Sequence, residues 1–481
     1  MQIVIYGLGR FFHKHEDHIR KLLQGDRVAA YVDKNAIEHS SLNGYEVLCP
    51  ESIKQLQYDY ILVTSVLYAE IKEELIELGV DQEKIVDIEQ FTLIKNQGKV
   101  IAYGEQCNPM KKCVLIATPH LGRHGGAMTC LWAGMALMEQ GYCVDLACGE
   151  AAESFIRVCK EYGIGVKLMQ SFPRIGGKDI DWISKYDYVI ANTVLMLPVA
   201  EIARRKVPTL WWIHENPDGF EVDAYREVKI LYPRLQSTDW MKEVEICAVC
   251  QRAQIIFQKQ YLGVSASNMA YGIPDCHQIQ RKKNGKIIFL LVGYFCKRKA
   301  QDLFVDAAIR LSKGFPNRCE FWLAGMVGEG NLFSDELLQK IDNNKEIKIL
   351  GEKSQKELAG IYEEIDISVC ASRSECLQIV TVEGMMHKKV CISTDASGMT
   401  QYIENGQNGL VFESESSENL YEKMKWCVEH YDDETYNKIR IEARRCYEKH
   451  FSMDAFKERL QSELLLAKQK WEESHQNYET R

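Results

Sequence analysis

The sequence predicts an α/β fold in three consecutive units, a small one followed by two larger ones. Short apolar runs rich in β-branched residues alternate with longer charged stretches, the pattern of parallel strands covered on both faces by helices. Glycines and polar residues gather directly after several of these runs, where strand-to-helix turns expose backbone N–H groups. A length of 481 residues also exceeds what one hydrophobic core organises.

Residues 1–105 read as the first unit. Strands are expected at Ile3–Tyr6, Val28–Val32, Tyr60–Thr64 and Ile85–Ile88, with helices near His13–Leu23 and Tyr68–Leu78. Gly7 and Gly9 follow the first strand and Asp33 ends the second, which is half of a dinucleotide fingerprint. Phe12 stands where the third glycine would be, so the turn reads as a tight connection without redox chemistry. The stretch Asn43–Ile53 resembles Rossmann-like domains attached to polysaccharide-biosynthesis enzymes.

A polar connector over 97–112 leads to the second unit, 110–277. Its first strand, Cys113–Ala117, is followed by Gly125 and Gly126 and then a helix from Ala127 to Gln140 with Leu131, Met135 and Met138 at helical spacing. Glycines without Cβ let a backbone approach a ligand, and the helix start supplies N–H donors. Further strands are expected at Tyr188–Ala191, Thr209–Ile213 and Ile246–Val249. Asn192-Thr193 and His214-Glu215 follow two of them and share the same sheet edge. Asp179 and Asp181 read as linker. Cys247 and Cys250 flank a strand with no second pair to complete a zinc site, so no metal is expected.

The hinge is placed at 271–286, and the third unit at 286–450. It opens with the strand Ile287–Val292, Gly293 and the basic run Lys297, Arg298, Lys299. Strands at Phe321–Ala324 and Ile347–Leu350 and a helix at Gln355–Glu364 precede a central strand–loop–helix–strand segment, 366–393. Its loop holds Glu375 and its helix Glu383. Two carboxylates beside helix-start N–H groups and a basic loop suit a ligand with both phosphates and hydroxyls, which describes a nucleotide sugar. A charged helix is expected at 451–470, and residues 471–481 read as a disordered tail.

The Glu375–Glu383 spacing, with the segment that follows it, resembles the donor-binding signature of the retaining family 4 glycosyltransferases. The Gly125-Gly126 loop, the His214 segment and the Gly293–Lys299 loop resemble the same family, in the family's order, over about three quarters of the chain. The resemblance implies a GT-B architecture, two facing Rossmann-like domains, here preceded by a smaller Rossmann-like α/β domain. It also implies that helix 451–470 crosses back to the second unit. Sugar transfer from a nucleoside-diphosphate sugar to a glycan or lipid-linked acceptor would then proceed with retention, without metal or other cofactor, in cell-surface polysaccharide biosynthesis.

In that reading Glu375 holds sugar hydroxyls, Glu383 the ribose, and Lys299, Arg298 and the Gly125-Gly126 amides the diphosphate. Leu377, Gln378 and Ile379 line the donor, and His214 lies in the cleft. Two departures stand out: Tyr294 replaces an arginine after Gly293, and Cys376, Leu377 and Gln378 follow Glu375 where two glycines are usual. A nucleotide-sugar epimerase on the same fold and a degenerate nucleotide-sugar-binding partner of another transferase remain as rivals. Donor hydrolysis separates the binder, and isomerisation without acceptor the epimerase.

A net charge of −9 speaks against a nucleic-acid partner. Seventeen scattered cysteines fit a reducing compartment, and no apolar run reaches the ~18 residues that span a bilayer, so a cytoplasmic location is expected. Arg204, Arg205 and Lys206 are the one stretch that points to contact with the inner membrane surface.

Overall fold

The computed structural model describes the chain apart from residues 37–40, 96–98, 109, 123, 171, 173–176, 217–236, 277–284, 329–331, 343 and 480–481. Half of the expected hinge, residues 277–284, therefore lies outside the described residues. Two compact units emerge, one built on Met1–Val100 and the other on Ile101–Leu168 with Phe172–Arg481.

In the first unit the sheet order is Ser41–Leu42, Tyr45–Leu48, Arg27–Val32, Gln2–Tyr6, Tyr60–Val63, Ile85–Val86, parallel except for the first pair. Alternation along Gln2–Tyr6 sends Ile3 and Ile5 into one core and Val4 and Tyr6 into the other, so both faces are buried. Phe12 belongs to the first of these cores. Asp33 turns its carboxylate onto the Leu8 N–H at 2.6 Å and the Asn35 N–H at 2.8 Å. The acid that a dinucleotide fold would offer to a ribose is thus occupied in closing its own turn.

The second unit contains two larger sheets. The eight-stranded one runs Ser267–Asn268, Glu245–Ala248, Thr209–Ile213, Tyr188–Asn192, Cys113–Ala117, Cys143–Cys148, Gly165–Leu168, Ile101–Tyr103. All pairs are parallel but the last. Residues 101–103, expected as connector, are an antiparallel edge strand on Gly165–Leu168. They join through backbone groups with largely solvated side chains, which leaves no hydrophobic period to read, and the unit therefore begins near 101 instead of 105–110.

The six-stranded sheet runs Ile347–Gly351, Cys319–Ala324, Ile287–Val292, Ile367–Cys370, Val390–Thr394, Leu410–Phe412, all parallel. Ile287, Phe289 and Leu291 face one core and Leu290 the other, which explains the continuous apolar run.

The chain closes with the helices Glu434–His450 and Met453–Glu479, which break at Phe451-Ser452. Phe456, Leu460, Leu464 and Ala467 form a fully buried stripe at helical spacing. That stripe lies on the eight-stranded sheet: Phe456 stacks on Trp212 with ring centroids 5.8 Å apart, and Gln140 Nε2 donates to the Lys457 carbonyl at 3.0 Å. Gly272 lets the helix approach, since a β-carbon there would sit 2.5 Å from Phe456 Cβ. The helix continues through 479, so the disordered tail expected from 471 is corrected. Its last turns look polar because they extend a helix already anchored upstream, and Trp471 and His475 stack across one turn at 4.3 Å.

Candidate active site

The site is built where the six-stranded sheet ends its strands. Ile287–Val292 runs into Gly293, and the chain turns through Lys297–Lys299 before the helix Gln301–Gly314. The Lys299 stem lies over Gly293, where a β-carbon would come within 3.3 Å of Lys299 Cδ. Beside it, Ile367–Cys370 leads into the Glu375 loop. That loop is pinned by its backbone: the Glu375 N–H donates to the Ala396 carbonyl at 3.0 Å, and the Gly398 N–H donates to the Glu375 carbonyl at 3.3 Å.

Arg298 Nη1 lies 2.6 Å from Glu375 Oε1, and Lys299 Nζ donates to the same oxygen. Burial pushes the Glu375 carboxyl up, but Lys299 and Arg298 outweigh it and hold the group below its ordinary value. Glu375, Lys299 and Arg298 are therefore one cluster of one anion and two cations. Lys297 points its side chain to solvent. Tyr294, standing where an arginine was expected, is 45% exposed and offers only its carbonyl to Gln301.

Cys376, Leu377 and Gln378 are all buried. The Leu377 carbonyl accepts from the Tyr271 hydroxyl at 3.1 Å, which ties this loop to the segment joining the two sheets. Gln378 precedes the helix Ile379–Met386 and accepts from Thr381 Oγ1 at 2.6 Å and Ser393 Oγ at 3.1 Å. Ile379 reaches the other lobe, where a β-carbon on Gly125 would meet its Cδ1 at 3.1 Å. A side chain at Gly125 would press on the tip of Ile379, so the glycine eases the approach of the two lobes. Glu383 lies one turn into the same helix, 5% exposed. Burial pushes its carboxyl up to about 7, against the lowering effect of Tyr362 and Gln355.

Across from this loop, the helix Gly125–Glu139 starts after His124, whose Nδ1 accepts from the Ala127 N–H at 3.3 Å. Burial keeps this imidazole neutral, down to about 4, with His120 adding to the effect. An accepting Nδ1 places the proton on Nε2, which is buried with no hydrogen-bond partner among the described residues. His124 is thus a donor beside Gly125 and Gly126 that sequence reasoning missed. Its one signal was a polar residue directly before a glycine-led helix.

Asn192, fully buried, donates from Nδ2 to Thr118 Oγ1 and to the Gly126 carbonyl, both at 3.3 Å. Thr193 next to it holds φ at +82°, a conformation β-branched residues rarely adopt and one that collects at functional sites. Glu215 spans this turn, accepting from the Val194 N–H at 3.1 Å and the His214 N–H at 2.9 Å; burial pushes it up to about 7. His214 packs on Trp212 with ring centroids 4.5 Å apart, and burial pushes it down to about 3, so it is a neutral imidazole. Its Nε2 is buried and without a hydrogen-bond partner among the described residues. No side-chain hydrogen bond among the described residues joins it to the Glu375 cluster.

Two other expectations meet the structure here. Arg204 pairs with Glu201 and Glu243, Arg205 with Glu201, and Lys206 with Asp181, so ion pairs account for all three charges and the triplet gives no reason for membrane contact. Asp181 is engaged in that pair, in keeping with a linker. No described helix is long and apolar enough to cross a membrane.

Comparison with known proteins bears on the family and the fold. Residues 273–445 match the family of glycosyl transferases group 1, and residues 1–86 match the N-terminal domain described as C2185-like. An uncharacterized glycosyltransferase of Methanocaldococcus jannaschii is 30% identical over 166 residues, 34% of this chain and 44% of that one. The chain's matches span less than half the length of its curated relatives. Among solved structures, Anabaena HepE in complex with UDP and glucose superposes with a TM-score of 0.61 at 17% identity, covering 73% of this chain and 98% of that one. A glycosyltransferase from Rickettsia africae gives 0.60 at 19%, covering 75% and 98%. These likenesses establish the fold.

Proposed function

We propose, for a chain that carries a glycosyltransferase group 1 domain on a GT-B fold, that it moves a sugar from a nucleoside-diphosphate sugar to an acceptor hydroxyl with retention of configuration. The observation that carries this reading is the Glu375–Arg298–Lys299 cluster at the strand ends of the six-stranded sheet, in a loop that leads to Ile379 beside Gly125 of the other lobe. The bond between the anomeric carbon and the diphosphate oxygen breaks, the acceptor oxygen bonds to the same face, and its proton passes to the departing diphosphate.

Lys299 and Arg298 stabilise the charge that builds on that leaving group, and preorganised donors of this kind contribute about 3 kcal/mol each. Glu375 accepts from sugar hydroxyls while keeping both cations in place. Glu383 accepts from the ribose. Gly125, Gly126 and the His124 Nε2 donor complete the phosphate side, and His214 lies on the acceptor side. The chain's own cations take the part that a divalent ion would play, so turnover needs no added magnesium or manganese.

The UDP seen in the Anabaena HepE complexes supports a nucleoside diphosphate as the donor's carrier. Glycan or lipid-linked acceptors in surface polysaccharide synthesis are the proposed setting. The test is donor hydrolysis by the purified full chain across a panel of nucleotide sugars. One donor should be cleaved slowly without acceptor and faster with it. Binding without any cleavage, or isomerisation of the free donor, would overturn the assignment.

A further inference from the structure

We propose that Glu245, Cys247 and Glu463 together bind a divalent transition-metal ion of the zinc class, one that fastens the C-terminal helix to the eight-stranded sheet. The three side chains come from two elements that face each other. Glu245 and Cys247 are two apart on the strand Glu245–Ala248 and so share one face, while Glu463 lies on the helix Met453–Glu479 packed against it. All three are buried, and one ligand atom from each lies within 4.8 Å of the others. Glu245 begins the strand whose far end reaches the cleft, so the role is structural and independent of sugar transfer.

Two observations point beyond a chance cluster. Glu463, only 9% exposed, has a carboxylate oxygen, Oε2, buried without any hydrogen-bond partner among the described residues. The charges also fail to balance: Lys470, seven residues on from Glu463 and on the same helix face, sits 2.9 Å from Glu245 and matches only one of the anions. Burial, with Glu463 and Glu245 adding to it, pushes the Cys247 thiol well up. Two carboxylates beside one ammonium thus leave one negative charge, and a divalent ion that enters with loss of the thiol proton brings the set to neutrality.

The donor set also selects the metal. Sulfur with two carboxylate oxygens suits zinc and its transition-metal neighbours and disfavours magnesium and calcium. Donors on one tetrahedral zinc lie about 3.3–3.8 Å apart, so the side chains close by an ångström or so, well within rotamer adjustment. Ser267, on the neighbouring strand and 3.0 Å from Cys247 Sγ, stands where a fourth ligand or its water belongs.

Cobalt(II) serves as the probe, added to full-length protein stripped with chelator and dialysed. The expected result is a sulfur-to-cobalt charge-transfer band that saturates at about one equivalent, is lost on adding zinc, and is absent in Cys247→Ser. Glu463→Gln, which keeps volume, should weaken cobalt binding about tenfold or more. Zinc should raise the melting temperature of the parent and leave that of Cys247→Ser unmoved. Absence of the band at one equivalent, a band that survives Cys247→Ser, or unchanged affinity in Glu463→Gln overturns the site. If Cys247→Ser does not fold, the Glu463→Gln titration alone decides.

Discussion

At the scale of single residues, the cluster around Glu375 divides labour between binding and turnover. Lys299 is a compact cation whose hold strengthens as the diphosphate gains charge, so Lys299→Ala should lower kcat by about 10²–10³ with a smaller rise in donor KM. Lys297→Ala, its solvent-facing neighbour, should leave steady-state kinetics unchanged; if the two results are exchanged, the basic loop has been assigned in the wrong register. Glu383 gives a pH signature. Its carboxyl is raised from 4.5 to about 7, so below that pH the folded chain holds a proton that ribose hydroxyls must displace. Donor affinity should therefore rise up to about tenfold per pH unit until near pH 7 and then level off, while Glu383→Gln binds weakly with no such slope. Folding stability runs the other way: it falls as pH rises from 4.5 to about 7, because the folded state binds the proton more tightly than the unfolded chain. Titration calorimetry with nucleoside diphosphate over pH 5–8 checks the first trend, and urea melts over the same range the second. The placement of both glutamates and of the glycine loops at strand ends was legible in the sequence because those turns are local; the roles proposed for them rest on the family resemblance. His124 was not, since its role rests on which ring nitrogen faces Ala127.

At the scale of elements, most strands that were read from the sequence are apolar runs buried on both faces, such as Cys113–Ala117 and Ile287–Val292. The edge strand Ile101–Tyr103 escaped because it contributes backbone pairing and little else. The C-terminal helix was legible through its stripe, but its extent was not, since polarity beyond Ala467 says only that those turns are solvated. Its anchoring should be measurable. Leu460 is fully buried in the stripe, and Leu460→Ala should destabilise the second unit by about 2–5 kcal/mol in urea or thermal melts. A change under about 0.5 kcal/mol would mean that the helix does not bear on the sheet's stability. The meeting of Cys247 with Glu463 is the opposite case: two residues remote in sequence acquire a shared chemistry only through packing.

At the scale of the whole molecule, the first unit closes both of its cores and its own Gly7–Asp33 turn from within. A chain truncated to begin at Val100, which keeps the edge strand, should fold and retain donor hydrolysis. A well-folded but inactive truncation, judged by circular dichroism and melting, would refute that independence. The crossing helix has a further consequence, which concerns synthesis. The eight-stranded sheet is complete in sequence by Asn268, yet Trp212 is capped by Phe456 of the last helix, whose buried stripe lies on that sheet. A ribosome must therefore make the whole six-stranded lobe before the earlier one can seal its core. At about 5–20 residues per second, the nascent chain displays an unsealed tryptophan-lined face for some ten to forty seconds. That face is the one that must be shielded from other chains until the last helix emerges.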